Sequence, residues 1–261
     1  MKHHGEPTDR YPQGLLQVLI NRGSGQIASF KLANRSTTEL DLFYDMIDEL
    51  PENSLILLDD WYNCYEIMAK CKTKNIELVV PAKRKRNYTI QEIIEKGDEI
   101  IEIKAPKERS SWLREQVEIP ESILIRRISC MSPEGKEYLL NTTVLKKEIS
   151  KEEIQMLYLT RWDIEIGIRE IKTIMSINVL RSKSKAMIEK EMGVSLSTYN
   201  LIRKIIHASV EGLSFFPETD LVQKFYPNSP SLFIDKKNRL YNRWAPGRKR
   251  AHESNTKRSI A

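Results

Sequence analysis

Apolar residues recur with two different periods along the first half of the chain, which predicts an alternation of strands and helices. Residues 15–21 and 27–33 are two strand-like runs joined across the Gly-Ser-Gly sequence at 23–25, and this pattern predicts a hairpin. Ser36 and Glu39 then form a capping-box pattern before a helix. The apolar residues of that helix follow at helical spacing: Leu40, Phe43, Ile47 and Leu50.

The apolar run at residues 54–58 ends in two carboxylates, Asp59 and Asp60. Continuous apolar runs of this length are typical of buried central strands in α/β sheets, and ligand chemistry gathers at the carboxyl ends of such strands. The sequence pattern predicts a helix at residues 65–74 and a further strand at residues 76–81. Either aspartate could instead cap the structure that follows, and we expect Asp60 to have such a role.

The pattern changes again after residue 97, where several short β runs follow one another. They lie at residues 99–104, 116–119, 123–129 and 136–140. Ser150 and Glu153 form a second capping-box pattern, which predicts the start of a helix. Residues 184–211 predict one or two more helices. The following residues are expected to belong to the core of those helices: Met187, Met192, Leu196, Leu201 and Ile205.

The helical segment from Tyr158 to Lys172 combines a polar line with an apolar stripe. On a continuous α-helix, Tyr158, Arg161, Glu165 and Lys172 lie within roughly 60° of arc. The neighbouring stripe would pack the helix on a core: Leu157, Ile164, Ile168, Ile171 and Met175. Taken alone, Arg161 and Glu165 could be an ordinary surface ion pair at i,i+4.

Charge and composition limit the class of protein. The chain has 261 residues, 40% of them apolar, which is enough for one large or two modest domains. Its net charge of +6 is concentrated from Lys224 onward, where ten Lys/Arg face two acids, so the tail favours nucleic-acid contact or a solvated terminus. We see no membrane span and no signal peptide in the sequence. Three cysteines without metal-site spacing favour a reduced, cytoplasmic protein.

The full spacing Y-x2-R-x3-E-x6-K, with Trp162 after the arginine, resembles the YREK signature of the DDE transposases of bacterial insertion sequences, specifically the IS-four family. The resemblance implies an RNase H-like catalytic core, in which three carboxylates hold two divalent ions, Mg²⁺ or Mn²⁺. Glu165 would be the third of these carboxylates. Tyr158, Arg161 and Lys172 would contact the backbone of double-stranded DNA at the element's ends.

The same resemblance assigns the second catalytic acid and metal ligand to Asp59. In the family this aspartate is followed by an aromatic residue three positions on and a small residue at five, and Tyr62 and Cys64 match that register better from Asp59 than from Asp60. The four cations after the next strand would lie where a DNA backbone passes, although a solvated loop is the alternative. They are Lys83, Arg84, Lys85 and Arg86.

These inferences define a fold and a domain organisation. The fold class is α/β, an RNase H-like mixed sheet flanked by helices, with a β-rich insertion between the second and third acids. Residues 1–96 form the first part of the core, 97–149 the insertion, 150–215 the signature helix and C-terminal helices, and 216–261 a basic, partly disordered tail. We expect the insertion to be a subdomain packed beside the sheet. The family further implies a homodimer that works on insertion-sequence ends and target DNA, in the bacterial cytoplasm near the nucleoid.

One element of the core is missing from the sequence. The RNase H-like core begins with a strand that carries the first catalytic aspartate, and residues 1–14 contain no such strand. Asp9 lies in a loop-like context and is a poor substitute. We therefore expect an N-terminally truncated transposase with a sheet position unfilled beside residues 15–21, defective for lack of that aspartate. The alternatives are a non-catalytic DNA-binding or dimerising transposase fragment and, more weakly, another RNase H-like nuclease.

Overall fold

The computed structural model describes residues 13–34, 36–82, 86–108, 110–113, 118–132, 134–173, 175, 177, 179–182, 184–210, 231–233 and 239–242. The chain folds into one mixed sheet with helices on both faces, so the predicted α/β class is confirmed. The order of strands across the sheet is β5-β6-β7-β8-β4-β3-β10-β1-β11-β9, and β2 pairs with β1. Of the helices in these ranges, none is long and apolar enough to cross a membrane.

The amino-terminal half follows the predicted alternation. Strands β1 (Gln13–Asn21) and β2 (Ile27–Asn34) form the antiparallel hairpin. Helix α1 (Glu39–Met46) follows and is capped by Thr38, whose side chain accepts the N–H of Asp41; the predicted cap at Ser36 is therefore wrong. Strand β3 (Leu55–Leu57), helix α2 (Tyr65–Thr73) and strand β4 (Glu77–Pro81) complete a parallel β-α-β unit.

The insertion extends the central sheet. Residues 97–149 contain β6 (Asp98–Lys104), β7 (Ser122–Met131) and β8 (Glu137–Thr142), and β5 (Tyr88–Glu95) directly precedes them. The four strands pair in antiparallel succession. Strand β8 pairs with β4, so the insertion continues the sheet and is not packed beside it as we expected. The reason is that the free edge of β4 offers backbone donors and acceptors that an antiparallel strand can satisfy.

Two short strands from the basic tail join the sheet. Strand β10 (Ser231–Phe233) lies between β1 and β3, and β11 (Arg239–Asn242) lies between β1 and the two-residue strand β9 (Val179–Leu180). The position beside β1 that we expected to be unfilled is therefore occupied, because β1 and β3 are separated by the width of one strand and β10 pairs with both.

Successive residues of the central strands point to opposite faces of the sheet, and each face packs on a hydrophobic core of its own. Leu55 and Leu57 belong to the core under α3 (Lys151–Leu159), α4 (Asp163–Thr173) and α5 (Lys185–Val210), whereas Ile56 belongs to the core under α1 and α2. The layers are therefore helix, sheet and helix.

Helix α5 is a single helix of 26 residues. Met192 and Leu196 are buried as expected, but Met187, Leu201 and Ile205 are exposed, so their prediction as core is wrong. They lie on the side of α5 that points away from the sheet.

Candidate active site

Asp59 lies two residues beyond the carboxyl end of β3. Its side chain caps a 3-10 turn over Asp60–Tyr62, and its Oδ1 accepts the N–H of Trp61 at 2.7 Å. The capping role that we assigned to Asp60 therefore belongs to Asp59. Below the turn, the hydroxyl of buried Tyr62 accepts a hydrogen bond of 3.0 Å from Gln17 on β1, which joins the turn to the sheet.

The signature segment contains two helices and not one. Helix α3 ends at Leu159, residues Thr160–Trp162 form a 3-10 turn, and α4 begins at Asp163. The hydroxyl of Thr160 donates to the carbonyl oxygen of Leu157 at 2.7 Å and accepts from Arg22 Nε at 2.8 Å, which favours the tighter turn. Residues in a 3-10 turn advance by about 120° each, compared with 100° in an α-helix. The segment is therefore not the one continuous α-helix that the predicted polar line assumed, although Arg161 still lies beside both Tyr158 and Glu165.

The rest of the segment follows the sequence pattern. The capping box at Ser150 and Glu153 is present in both directions. The apolar stripe is the buried face of the segment, with Leu157, Ile164, Ile168 and Ile171 in the core and Met175 packed against it. Because this face is held on the sheet, Arg161 and Glu165 occupy defined positions at its edge.

Arg161 is the central residue of the site. It is only 7% exposed, and its guanidinium lies 4.9 Å from the centre of the Trp162 ring and 5.8 Å from that of Tyr158. Its Nη2 is 4.0 Å from Oε1 of Glu165, a loose ion pair. Within the described structure its Nε is buried without a hydrogen-bond partner. A buried guanidinium of this kind can stabilise negative charge that arrives at the site.

The two halves of the site meet at Arg161. Burial raises the pKa of Asp59, and Asp60 adds to this rise, whereas the N–H of Trp61 and the Arg161 guanidinium oppose it. Burial raises the pKa of Tyr158 to about 12, with Arg161 again opposing and both aspartates contributing. The end of β3 and the signature segment are thus close enough for their charges to interact, although they are about 100 residues apart in sequence.

Glu165 and Lys172 lie further out than Arg161. The side chain of Glu165 is 44% exposed, and Lys172 is half-buried. Of the four cations after β4, residues 83–85 are outside the described residues. The guanidinium of Arg86 donates from Nη2 to the carbonyl oxygen of Asn63 at 2.6 Å, so this cation holds the loop between Asp59 and α2.

Two further features were missed in the sequence. Asn63 is fully buried, and both polar atoms of its amide are without partners among the described residues. Arg126 and Asp98 form a buried ion pair, in which Arg126 Nε donates to Asp98 Oδ1 at 2.7 Å. Asp98 occupies a buried position in the alternation of β6, and a charged residue at an apolar position is the signal that could have revealed the pair.

The donor set only partly fits a divalent metal. Asp59, Asp60 and Glu165 offer carboxylate oxygens, which Mg²⁺ and Mn²⁺ prefer. Among the residues that the structure describes, however, no three acidic, histidine or cysteine side chains are grouped so as to hold a metal ion. The described carboxylates therefore do not complete a two-metal site.

We expect Asp59→Asn to stabilise the fold at neutral pH. The pKa of Asp59 is raised in the folded chain, so the ionised carboxylate is less favourable there than in the unfolded chain. This penalty is absent below the unfolded pKa of about 3.9 and develops as the pH rises through the folded pKa. Asparagine keeps an acceptor for the N–H of Trp61.

Thermal unfolding at pH 3 and pH 7 tests this expectation. The gain of the variant over the wild type should be present at pH 7 and vanish at pH 3. Glu52→Gln, at an exposed position, is the matched control and should change neither value appreciably. Equal or lower stability of Asp59→Asn at pH 7 would contradict the assigned pKa direction.

Comparison with known proteins agrees with this arrangement. A family described as the transposase DDE domain matches residues 1–201. A similar protein is transposase InsG for insertion sequence element IS4 of Escherichia coli (strain K12), which is 26% identical over 207 residues. The match covers 77% of this chain but 46% of the relative, so the chain spans less than half the length of that protein. The chain has a mixed sheet between helical layers, an aspartate just beyond β3 and the Y-R-E-K spacing across α3, the 3-10 turn and α4, and it belongs to the transposase DDE domain family, of the IS4 type.

Proposed function

We propose that this chain is the catalytic domain of a transposase that cuts and joins DNA at the ends of an insertion element. The observation that supports it best is that Asp59, just beyond the carboxyl end of β3, is near enough to Tyr158 and Arg161 for their charges to interact. Glu165 follows one helical turn after Arg161 and faces solvent, where a DNA strand can approach it. Such a site belongs in the cytoplasm, at the nucleoid, where its DNA substrate lies.

Transposases of this family generally use a divalent metal ion for phosphoryl transfer. We propose Mg²⁺ or Mn²⁺ as the ion and Asp59 and Glu165 as its ligands from this chain. The Arg161 guanidinium is 4.0 Å from Glu165 and lowers the pKa of Asp59, so its charge offsets that of both carboxylates in the absence of the ion. It also supplies a fixed positive charge next to the phosphate that reacts.

The residues proposed to contact DNA differ in how far their side chains are exposed to solvent. Arg161 and Tyr158 are buried, so they act at the reacting phosphate or by positioning the carboxylates. Lys172 lies two helical turns after Glu165 on α4 and is more accessible than Arg161, so it fits a contact with the DNA backbone. Residues 83–86 begin directly after β4, at the carboxyl end of the strand adjacent to β3, and would extend this contact.

We expect Lys172→Ala to weaken DNA binding at low salt and to flatten its salt dependence. Each phosphate contact that is lost should reduce the slope of log K against log salt by about 0.9. Binding titrations between roughly 50 and 200 mM salt measure the slope, with Lys204→Ala on the exposed part of α5 as the control. An unchanged slope for Lys172→Ala would remove this residue from the interface.

A non-catalytic DNA-binding fragment is the second candidate function. It is favoured by the lack of a third grouped carboxylate in the described part of the chain. The two functions differ in their use of metal. The first function requires the chain to nick DNA that carries the ends of its own element when Mg²⁺ or Mn²⁺ is present. Binding without nicking in either metal would support the second function and contradict the first.

We also propose that the chain forms a homodimer through α5. Four apolar side chains on this helix, at positions 187, 194, 201 and 205, are at least half exposed. The first three are spaced by seven residues, which is the repeat of a helix that packs against a second helix. Joining two DNA ends requires two active sites, and a second copy of the same chain would cover this apolar face.

The dimer is tested by Leu201→Glu. Leu201 is 59% exposed, so the substitution should leave the fold intact while placing a charge in the proposed interface. Sedimentation should then show a monomer, whereas His207→Glu, at an exposed position of α5 away from this apolar face, should remain dimeric. If the wild type is itself a monomer at micromolar concentration, the proposed dimer is wrong.

A further inference from the structure

The turn of the β1–β2 hairpin reaches the signature segment through Arg22. This residue directly follows β1, and its Nε donates to the hydroxyl oxygen of Thr160 at 2.8 Å, across 138 positions of sequence. The one hydrogen of that hydroxyl is donated to the carbonyl oxygen of Leu157 at 2.7 Å, so its oxygen is left as an acceptor. A guanidinium can only donate, so the two side chains match in this one direction.

Thr160 lies where a small movement affects the candidate site most. It is the first residue of the 3-10 turn after α3, Arg161 is the second, and α4 begins at Asp163. The direction of α4, and with it the position of Glu165, therefore depends on the conformation of this turn. A misplacement of about 1 Å can slow a catalysed step about 100-fold.

Internal hydrogen bonds give the hairpin turn a defined conformation. The N–H of Asn21 donates to the carbonyl oxygen of Gln26 at 2.7 Å, and the N–H of Gly25 donates to that of Asn21 at 2.8 Å. The side chain of Asn21 also accepts the N–H of Ser24 at 3.0 Å. Gly25 has φ +67°, which glycine adopts without steric cost. Arg22 belongs to this unit, so its backbone has a fixed position beside the 3-10 turn.

Helix α5 holds the hairpin turn from the other side. The amide of Asn200 accepts the N–H of Ile27 at 2.7 Å and donates to the carbonyl oxygen of the same residue at 2.8 Å, as a neighbouring strand would. Arg203 donates to the carbonyl oxygen of Ser24 at 3.4 Å. Its guanidinium lies directly over Gly25, where any larger side chain would collide with it. The turn is therefore bonded to α5 through both backbone and side-chain groups.

Helix α5 also contacts α4, which closes a ring of three elements. The hydroxyl of Tyr199 donates to Oε2 of Glu170 at 3.3 Å, and Nη1 of Arg203 is 3.8 Å from the same oxygen. At Gly167 of α4, an added Cβ would come within 3.3 Å of Ile20 on β1. The hairpin, the signature segment and α5 thus contact one another in turn, and none of them can shift without changing the other two contacts.

We propose that Arg22 is a positioning residue, which fixes Arg161 and Glu165 through Thr160, and that α5 supports it through Asn200. The part that Arg161 and Glu165 take in the reaction rests on the proposed function, whereas their positioning does not. A contact that only stabilised the fold would change the free energy of unfolding and leave the 3-10 turn where it is. A positioning contact displaces the turn when it is removed.

Fluorine NMR of the chain labelled with 5-fluorotryptophan tests the position of the turn without any need for activity. The resonance of Trp162, the last residue of the turn, should move in both Arg22→Met and Thr160→Val, and that of Trp112 should not. Lys31→Met removes a cation from β2 of the same hairpin and should move neither resonance. An unmoved Trp162 resonance in Arg22→Met would overturn the inference.

Two further variants show whether the hydrogen bond itself is responsible. Thr160→Ser keeps the hydroxyl and should restore the wild-type resonance of Trp162. Arg22→Met combined with Thr160→Val should move it no further than either single variant, because both changes remove the same bond. Additive displacements would show that the two side chains act separately, and this result would also overturn the inference.

The support from α5 has its own test. Asn200→Leu removes both hydrogen bonds to Ile27 and should move the Trp162 resonance, although residue 200 does not contact the signature segment through any bond described here. Asn200→Asp keeps the acceptor for the Ile27 N–H and should move it less. Lys204→Ala, at an exposed position of α5, is the control. A resonance that stays in place in Asn200→Leu would exclude the support from α5.

Nicking assays then measure the consequence for the reaction. Arg22→Met should lower kcat about 10- to 100-fold with little change in KM for DNA, because the DNA contacts remain and only their alignment is lost. Arg22→Lys keeps a donor and should recover part of the rate. Wild-type kcat in Arg22→Met would overturn the positioning role. A wild type that does not nick contradicts the proposed function instead, and the fluorine result then decides the positioning.

Discussion

Replacing Glu165 by glutamine is expected to reduce metal-dependent DNA cleavage roughly 10³-fold or more. Glutamine keeps the shape of the side chain and one oxygen, but it removes the negative charge that a divalent cation requires. Glu165 is largely exposed, and its one described ion pair, with Arg161, is loose at 4.0 Å. The substitution should therefore leave the fold and the affinity for DNA nearly unchanged.

The experiment compares cleavage and binding in the same protein preparation. Glu152→Gln, an exposed carboxylate in the first turn of α3, is the matched control and should cleave like the wild type. Loss of cleavage with intact binding would support the proposed catalytic role. Cleavage by Glu165→Gln at the wild-type rate would exclude Glu165 as a metal ligand.

The second large effect is expected on stability, from Arg126→Ala. Both Arg126 and Asp98 are 1% exposed, and the substitution leaves the Asp98 carboxylate buried without its cation. Breaking a buried pair in this way typically costs about 3–5 kcal/mol of unfolding free energy. Arg126 also donates from Nη1 to the carbonyl oxygens of Lys146 and Ile149, both at 2.8 Å, and these bonds are lost as well.

Urea denaturation measures the loss of unfolding free energy, and two further variants test whether the loss comes from the buried ion pair. Arg127→Ala, on the neighbouring half-buried position of β7, should cost several-fold less. Asp98→Leu combined with Arg126→Met replaces both charges with apolar groups and should recover much of the stability. If Arg126→Ala proves as stable as Arg127→Ala, the buried pair does not have the proposed role.

The contacts of Arg126 also connect the insertion to the candidate site. Lys146 and Ile149 lie four residues and one residue before Ser150, which caps α3, and α3 leads into Arg161 and Glu165. A change in the insertion can therefore displace the start of the signature segment. This connection gives the insertion a positioning role in addition to its place in the sheet.

Local sequence patterns were sufficient to predict the elements that are stabilised by interactions between residues close together in the chain. The hairpin, the buried strand before Asp59, the capping box at Ser150 and the apolar face of α4 all appear where the sequence predicts them. Periodicity and capping act within one or two turns, so they can be seen without knowledge of the fold. The Y-R-E-K spacing was likewise sufficient to predict the family.

Tertiary structure decided the features that depend on distant partners. The break at Thr160 involves Arg22, the loop after Asp59 is held by Arg86, and the exposure of Leu201 depends on which face of α5 meets the sheet. Each of these contacts joins residues that no sequence window contains together.

The position beside β1 shows the distinction most clearly. From local pattern alone, the sequence predicted an unfilled sheet position beside residues 15–21. Only the tertiary structure decided that β10 and β11 lie there, since any extended segment can satisfy the backbone groups of a sheet edge. Backbone hydrogen bonding is nearly independent of side-chain identity, so the choice of partner depends on where the folded chain brings its tail.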